Sequence, residues 1–185
     1  MSYFIAVLFD EETKDKLTEV QAALRRGSNG GNFSRRDNFH LTLAFLGEME
    51  PHRLTDFEEV IAACAAQCRP FSIDLQGVGR FPRRGGDVIW AGISPSKPLE
   101  LLYRDLCARL VAVGFVPDSP SYSPHVTLGR GVRLKDGFDP EGGFKKIIQQ
   151  GTLISKISMM KSWRPDGRLT YTPVFEAEFG REGSL

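Results

Sequence analysis

Residues 39–47, FHLTLAFLG, and residues 123–130, SPHVTLGR, each carry histidine, an aliphatic residue, threonine and leucine in that order. The 185-residue chain has three histidines, and two of them, His40 and His125, open this pattern. With eight threonines in the chain, chance puts threonine two places after at least two of three histidines in roughly half a per cent of cases. A single H-x-T is most simply a half-exposed strand, because threonine favours strands in any case. Two of them, each with a small residue four places after the histidine, ask for a chemical reason.

Strand geometry supplies the first step. Alternate residues of a strand face the same side, so His40, Thr42 and Ala44 are expected on one face, with Phe39, Leu41, Leu43 and Phe45 packed against helices on the other. Likewise His125, Thr127 and Gly129 share a face, and Val126 and Leu128 point to the core. Ala44 and Gly129 then leave room for a ligand beside the polar pair. The same parity puts Arg130 opposite His125 and Thr127. It reaches the polar face only if Gly129 makes a bulge, so it is not counted in the site.

Outward from these stretches, the apolar run at 3–9 reads as a buried strand. Asp10 offers an N-cap, and Leu17, Val20 and Leu24 recur at helical spacing up to Gly27. A loop follows through Ser28–Gly31. A second helix starts near Pro51, with Leu54, Phe57, Ile61, Cys64 and Cys68 along one face. Strands at 71–79 and 87–93 flank the hairpin loop RFPRRGGD, and a helix spans about 97–113. Pro117, Pro120 and Pro124 punctuate the approach to His125. A short helix is expected at 144–150, then strands at 151–161 and 169–179 around RPDG. No low-complexity linker cuts the chain, so residues 1–185 are expected to form one domain. The H-x-T sites lie 85 residues apart in similar surroundings of strand and helix, which predicts an α+β fold of two similar antiparallel sheet-plus-helix lobes facing one another.

The formal net charge of +1 excludes a global field that draws the protein onto nucleic acid or anionic membrane. Local pairs do occur, at Arg25 and Arg26, Arg35 and Arg36, and Arg83 and Arg84 beside Arg80, although such pairs are more often solvated surface. Cys64, Cys68 and Cys107 are too few for a disulfide framework and suit buried thiols in a reducing compartment. The N-terminal apolar run is too short for a signal peptide, and no stretch reaches the length of a membrane span. A cytoplasmic protein without membrane association is expected.

In-line displacement at phosphorus needs a base for the attacking oxygen and an acid for the departing one, on opposite sides of the phosphorus. Imidazole suits both tasks near neutral pH, and threonine hydroxyls one pleat along can donate to the non-bridging oxygens. Zinc is the main competitor, but it needs three or four His, Cys or carboxylate ligands, and neither histidine has Asp or Glu two places away. A serine hydrolase is weaker still, since no G-x-S-x-G elbow is present.

FHLTLAFLG and SPHVTLGR closely resemble the paired motifs of the two-histidine (2H) phosphoesterases, specifically the LigT-like RNA 2′,3′-cyclic phosphodiesterases, also described as 2′-5′ RNA ligases. YFIAVLF, GVGRFP…VIWAGI and ISMMKS…YTPVFEAEF are similar to that family's first strand, central hairpin and closing strands, so the resemblance covers nearly the whole chain. It implies a bilobal fold with a pseudo-two-fold axis and a groove between the lobes. It also implies metal-independent hydrolysis of an RNA terminal 2′,3′-cyclic phosphate to a 2′-phosphate, without cofactor, by a monomer acting on RNA or oligonucleotide ends. By position His40 is the implied proton donor to the leaving 3′ oxygen, His125 the acceptor that activates water, and Thr42 and Thr127 the phosphate holders. The chain departs from many relatives in having Ser2 and Tyr3, with no basic residue, before its first strand. A 2′-5′ ligase, a 2′-5′ oligonucleotide phosphodiesterase and a non-catalytic RNA or nucleotide-binding module are the alternatives on the same residues. Arg83 and Arg84 could track an RNA backbone, and Trp163 and Tyr122 could stack a base, with packing the simpler role for both. His52 is expected on the solvated surface.

Overall fold

A computed structural model describes residues 1–117, 122–144 and 147–180. The first apolar run forms β1 (Ser2–Leu8). Asp10 then accepts from the Thr13 N–H at 2.8 Å and opens α1 (Glu11–Arg26), which Gly27 closes. The two-residue β2 (Asn32–Phe33), unexpected from the sequence, precedes the first histidine strand, β3 (His40–Gly47). Next come α2 (Leu54–Gln67), the hairpin β4 (Phe71–Phe81) and β5 (Asp87–Ile93), and α3 (Lys97–Ala112). The second histidine strand, β6 (His125–Val132), is followed by the short α4 (Pro140–Gly143), β7 (Ile147–Ile154), β8 (Lys156–Trp163) and β9 (Thr170–Glu178).

Two antiparallel sheets result, ordered β3-β1-β8-β9 and β2-β6-β5-β4-β7. Each draws strands from both halves of the chain. The crossing is closest at α1, which follows β1 yet packs against β6 and β7 of the other sheet, while α2 covers β8 and β9 and meets α3. One large cluster unites the helix residues Leu17, Leu24, Phe57, Ile61 and Leu106 with Ile5, Val7, Leu41, Leu75, Ile89, Leu128 and Met159 from the sheets. The opposite face of the four-stranded sheet carries a small cluster of Phe4, Ala6 and Met160, with Leu8 and Tyr171 at its edge.

Two expectations are corrected here. In place of a helix at 144–150, α4 ends at Gly143 and Ile147–Ile154 forms β7, paired along β4 from Phe71 opposite Ile154 to Gln76 opposite Ile147. A weak helical pattern yields to a complete ladder offered by the neighbouring strand. The single strand expected at 151–161 is two, because the chain leaves one sheet after Ile154 and enters the other at Lys156. The stretch around Pro120 and residues 145–146 of the expected helix lie outside the described residues.

The internal repeat is visible in the ladders. Leu8, Ala6 and Ile5 stand opposite His40, Thr42 and Ala44, and Gly92, Trp90 and Ile89 stand opposite His125, Thr127 and Gly129. The order β3-β1-β8-β9 thus matches β6-β5-β4-β7, and β3 and β6 come close to one another where the sheets meet. Gln21, buried on α1, ties the N-terminal helix to this arrangement: its amide donates to the carbonyls of Ser34 at 2.7 Å and Leu128 at 2.9 Å. Replacing it with methionine keeps the bulk and removes both donors, so Gln21→Met is expected to lower stability by about 1–3 kcal/mol in urea unfolding. A change within about 0.5 kcal/mol would show the tie to be dispensable.

Candidate active site

Both histidine strands carry one extra residue at the same place. Consecutive Ile5 and Ala6 of β1 pair with Ala44 and Thr42, passing over Leu43, and consecutive Ile89 and Trp90 of β5 pair with Gly129 and Thr127, passing over Leu128. An extra residue reverses the alternation beyond it. Ala44, 4% exposed, therefore joins the core, and Phe45, 55% exposed, turns out beside Phe4 at a ring separation of 5.9 Å. Gly129 is buried, and Arg130 turns out into the groove. The face assignments of Ala44, Phe45, Gly129 and Arg130 expected from strict parity are all overturned. Gly129 is small because a Cβ there would lie 2.9 Å from Val132 Cγ2 and 3.1 Å from Phe33 Cδ1. The bulge frees the Leu128 carbonyl, which accepts from the Ser34 N–H and the Gln21 amide, each at 2.9 Å, while the Ser34 hydroxyl donates to the Thr127 carbonyl at 2.8 Å.

The histidines themselves keep their expected faces. His40 Nδ1–H donates to the Asn38 carbonyl at 2.7 Å, and His125 Nδ1–H donates to the Ser123 carbonyl at 2.8 Å. A carbonyl only accepts, so Nδ1 carries a proton on both rings and Nε2 is the nitrogen free of the backbone. The Thr42 hydroxyl lies 3.0 Å from His40 Nε2. Phe4 at 4.8 Å and Tyr171 at 5.1 Å flank the His40 ring, and Phe81 at 5.4 Å and Trp90 at 6.1 Å flank His125. Burial among its neighbours pulls the His40 imidazole down to about 4, against the hydrogen bond to Asn38, and the nearby Arg130 guanidinium pushes the same way.

A cavity of about 400 Å³ brings His40 and Thr127 together with Asn38, Arg130, Arg164 and Tyr171. Asn38 is a junction that the sequence did not reveal. Its carbonyl orients His40, its amide donates to the Leu169 carbonyl at 3.0 Å, and its Oδ1 accepts from the Tyr171 N–H at 3.3 Å. Asn38 and Ser34 lie outside any periodic pattern, and Gln21, though on the buried stripe of α1 with Leu17 and Leu24, is polar and so does not read as core.

Other expected residues lie elsewhere. Trp163 shares a sheet face with Lys161 and Thr172, opposite Met160 and Ser162, and donates to the Thr172 hydroxyl at 3.0 Å. Tyr122 stacks on Tyr103 at 3.8 Å and donates to the Thr42 carbonyl at 3.4 Å, a packing role. Arg36 is held by Glu11 and Asp15, and Arg80 by Asp87 and Glu141, whereas Arg83 and Arg84 are exposed in the β4–β5 loop. His52 is exposed. All three cysteines are free, and only Cys64 is fully buried; Cys68 and Cys107 are half-buried, short of the expected burial. Among the described residues no group of three His, Cys, Asp or Glu side chains could hold a metal ion, and no helix is long and apolar enough to cross a membrane.

Residues 9–141 match the sequence model of the 2′-5′ RNA ligase superfamily. A Geobacillus stearothermophilus protein named RNA 2′,3′-cyclic phosphodiesterase is 31% identical over 140 residues, which is 75% of this chain and 45% of that protein. The chain therefore spans under half the length of that relative. A Methanothermobacter thermautotrophicus protein of the same name is 31% identical over 163 residues, covering 86% of this chain and 88% of its own. The crystal structure of a Thermus thermophilus protein superposes with a TM-score of 0.77 at 26% identity, covering 98% of this chain and 100% of that one.

The environment of His40 has a measurable consequence. Its folded value lies below the ordinary 6.5, so the stability its neutral form contributes is complete above pH 6.5 and is lost as pH falls toward about 4, where the unfolded chain binds a proton that the folded one refuses. In NMR titration, the imidazole signal that disappears in His40→Gln is expected to have a midpoint near 4. Sulfate, an anion with no proton to exchange, should move that midpoint upward by offsetting Arg130. A midpoint at 6.5 or above without sulfate would overturn the assignment.

Proposed function

The chain belongs to the 2′-5′ RNA ligase superfamily of two-histidine phosphoesterases, and from that premise we propose that it hydrolyses the terminal 2′,3′-cyclic phosphate of RNA to a 2′-phosphate with His40 and His125 as acid and base. The observation that carries this reading is the matched register of the two H-x-T strands, with each histidine ring tethered through Nδ1 and its Nε2 left for chemistry.

Water attacks the phosphorus on the side away from the 3′ oxygen. His125 Nε2 accepts its proton, the bond from phosphorus to the 3′ oxygen breaks, and His40 Nε2 delivers a proton to that oxygen. The product carries a 2′-phosphate and a free 3′ hydroxyl. Thr42 and Thr127 donate to the non-bridging oxygens, whose charge grows in the transition state, and Arg130 faces the same charge. The division into donor and acceptor follows the resemblance to the family. It makes a demand on His40: neutral in the free protein at pH 7, it must take up a proton as the phosphate anion arrives. No metal ion enters the scheme.

Oligonucleotides ending in a 2′,3′-cyclic phosphate should be opened in the presence of EDTA, with the product phosphate at the 2′ position by chromatography against both standards. His40→Ala and His125→Ala are each expected to lower the rate by about 10²–10⁴. Retained activity in both would overturn the mechanism. Adding a strand with a 5′ hydroxyl tests the other direction, since that oxygen in place of water leaves the two strands joined 2′–5′. Binding without turnover from pH 5 to 8 would identify a binding module.

A further inference from the structure

Positive charge around the groove exceeds what the reacting group needs. A cyclic phosphate carries a single negative charge, yet Arg35, Arg130, Arg164 and Arg168 all line the cavity that holds His40 and Thr127, and no Asp or Glu lines it among the described residues. Outside the groove the arginines divide: Arg25, Arg26, Arg83, Arg84 and Arg133 form no ion pair among the described residues, and others do. Arg36, Arg53, Arg80, Arg104 and Arg109 each have a carboxylate partner, while none of the four groove arginines forms an ion pair among the described residues. Like charges gathered without counter-charges repel one another and are kept where an anion completes them.

Backbone devices place each of these side chains. The bulge at Gly129 turns Arg130 into the groove. Arg35 follows Ser34, whose N–H donates to the Leu128 carbonyl at 2.9 Å and whose hydroxyl donates to the Thr127 carbonyl at 2.8 Å. Arg164 and Arg168 flank the 3-10 turn Pro165–Gly167 between β8 and β9, where Asp166 and Gly167 take positive φ of 50° and 76°. Asn38 bonds that hairpin at Leu169 and Tyr171 and orients His40 with its own carbonyl. The arginine turn and the histidine are therefore held by one residue.

Arg130 lies next to Thr127 along β6 and acts on His40, so it accounts for the reacting phosphate. Three charges remain in the lining of a cavity whose volume of about 400 Å³ falls in the usual range for small-ligand sites. An RNA strand ending in a cyclic phosphate continues through a phosphodiester one nucleotide away. We propose that Arg35, Arg164 and Arg168 form a second phosphate subsite that binds the phosphodiester adjoining the cyclic end, so that the protein selects oligonucleotides over mononucleotides. This inference rests on the phosphodiesterase reading above and names its substrate class.

Three substrates test it: adenosine 2′,3′-cyclic phosphate, the ApA dinucleotide with the same cyclic end, and that dinucleotide with an uncharged methylphosphonate as its internal link. The ordinary dinucleotide is expected to exceed the mononucleotide in kcat/KM by on the order of 10-fold, chiefly through KM. The methylphosphonate form should fall back to the mononucleotide level, and the advantage should shrink between about 50 and 200 mM salt. In Arg164→Ala/Arg168→Ala the ratio of dinucleotide to mononucleotide should drop by about fivefold or more. Arg104→Ala, which removes the same charge from α3, should keep it. Equal turnover of the charged and uncharged dinucleotides by the wild-type protein would overturn the subsite, whether or not the double variant folds. No turnover of any of the three would instead overturn the phosphodiesterase reading.

Discussion

Ladder pairing between β1 and β3 passes over Leu43, and pairing between β5 and β6 passes over Leu128, so both histidine strands change faces just after their threonines. Up to that point each strand presents histidine and threonine to the groove and aliphatic residues to the helices. Beyond it the order inverts, and the small Ala44 and Gly129 enter the core. Without the extra residue Arg130 would be driven into the layer that holds Val126 and Leu128, where a guanidinium has no partner and costs several kcal/mol to desolvate. The bulge thus permits a basic residue near a histidine on a strand whose other face is buried. It also leaves the Leu128 carbonyl out of the ladder, and Gln21 and Ser34 supply the missing donors from parts of the chain that must cross the lobe boundary to reach it.

The electrostatics of the groove follow from that placement. Arg130 is the leading charge acting against protonation of His40, after the burial imposed by its neighbours. It also acts on Tyr171, as does Arg164, but burial dominates there and the phenol is pushed above its ordinary value. In the free protein burial and charge both favour a neutral His40. An anion between Arg130 and His40 reverses the balance, because it attracts the proton and shields the guanidinium at once.

Much of this was legible in the sequence, and the rest fails for identifiable reasons. The helices over Glu11–Arg26 and Lys97–Ala112 announce themselves through a 3.6-residue apolar stripe and a terminal glycine, and the first also through its N-cap Asp10. His40, Thr42, His125 and Thr127 stand out because the motif occurs twice and because alternation holds across those three residues. Ala44 and Gly129 carried the signal of the bulge, but a small residue on a polar face also fits open space for a ligand, and periodicity makes no allowance for one extra residue. Arg130 was misplaced for that reason alone. Asn38, Arg164 and Arg168 could not be joined to His40 from the sequence, since more than a hundred positions separate the two elements that Asn38 bonds together. The β-strand at Ile147–Ile154 escapes the local pattern because its partner, β4, is also distant in the chain.

The repeat is close in backbone and divergent in side chains, and the divergence falls beside the two histidines. Ala6 stands opposite Thr42 where Trp90 stands opposite Thr127, and Leu8 opposite His40 where Gly92 stands opposite His125. Gly79, whose Cβ would overlap the Trp90 ring, makes room for the indole on the second lobe, while a Cβ at Gly92 would press on the Gln76 carbonyl. On the first, Phe4 and Tyr171 enclose the imidazole instead. A duplicated strand pair repeats the backbone geometry at low cost in new sequence, and substitution of a few neighbours, Phe4 and Tyr171 on one side and Phe81 and Trp90 on the other, gives the two imidazoles different surroundings while leaving the register intact.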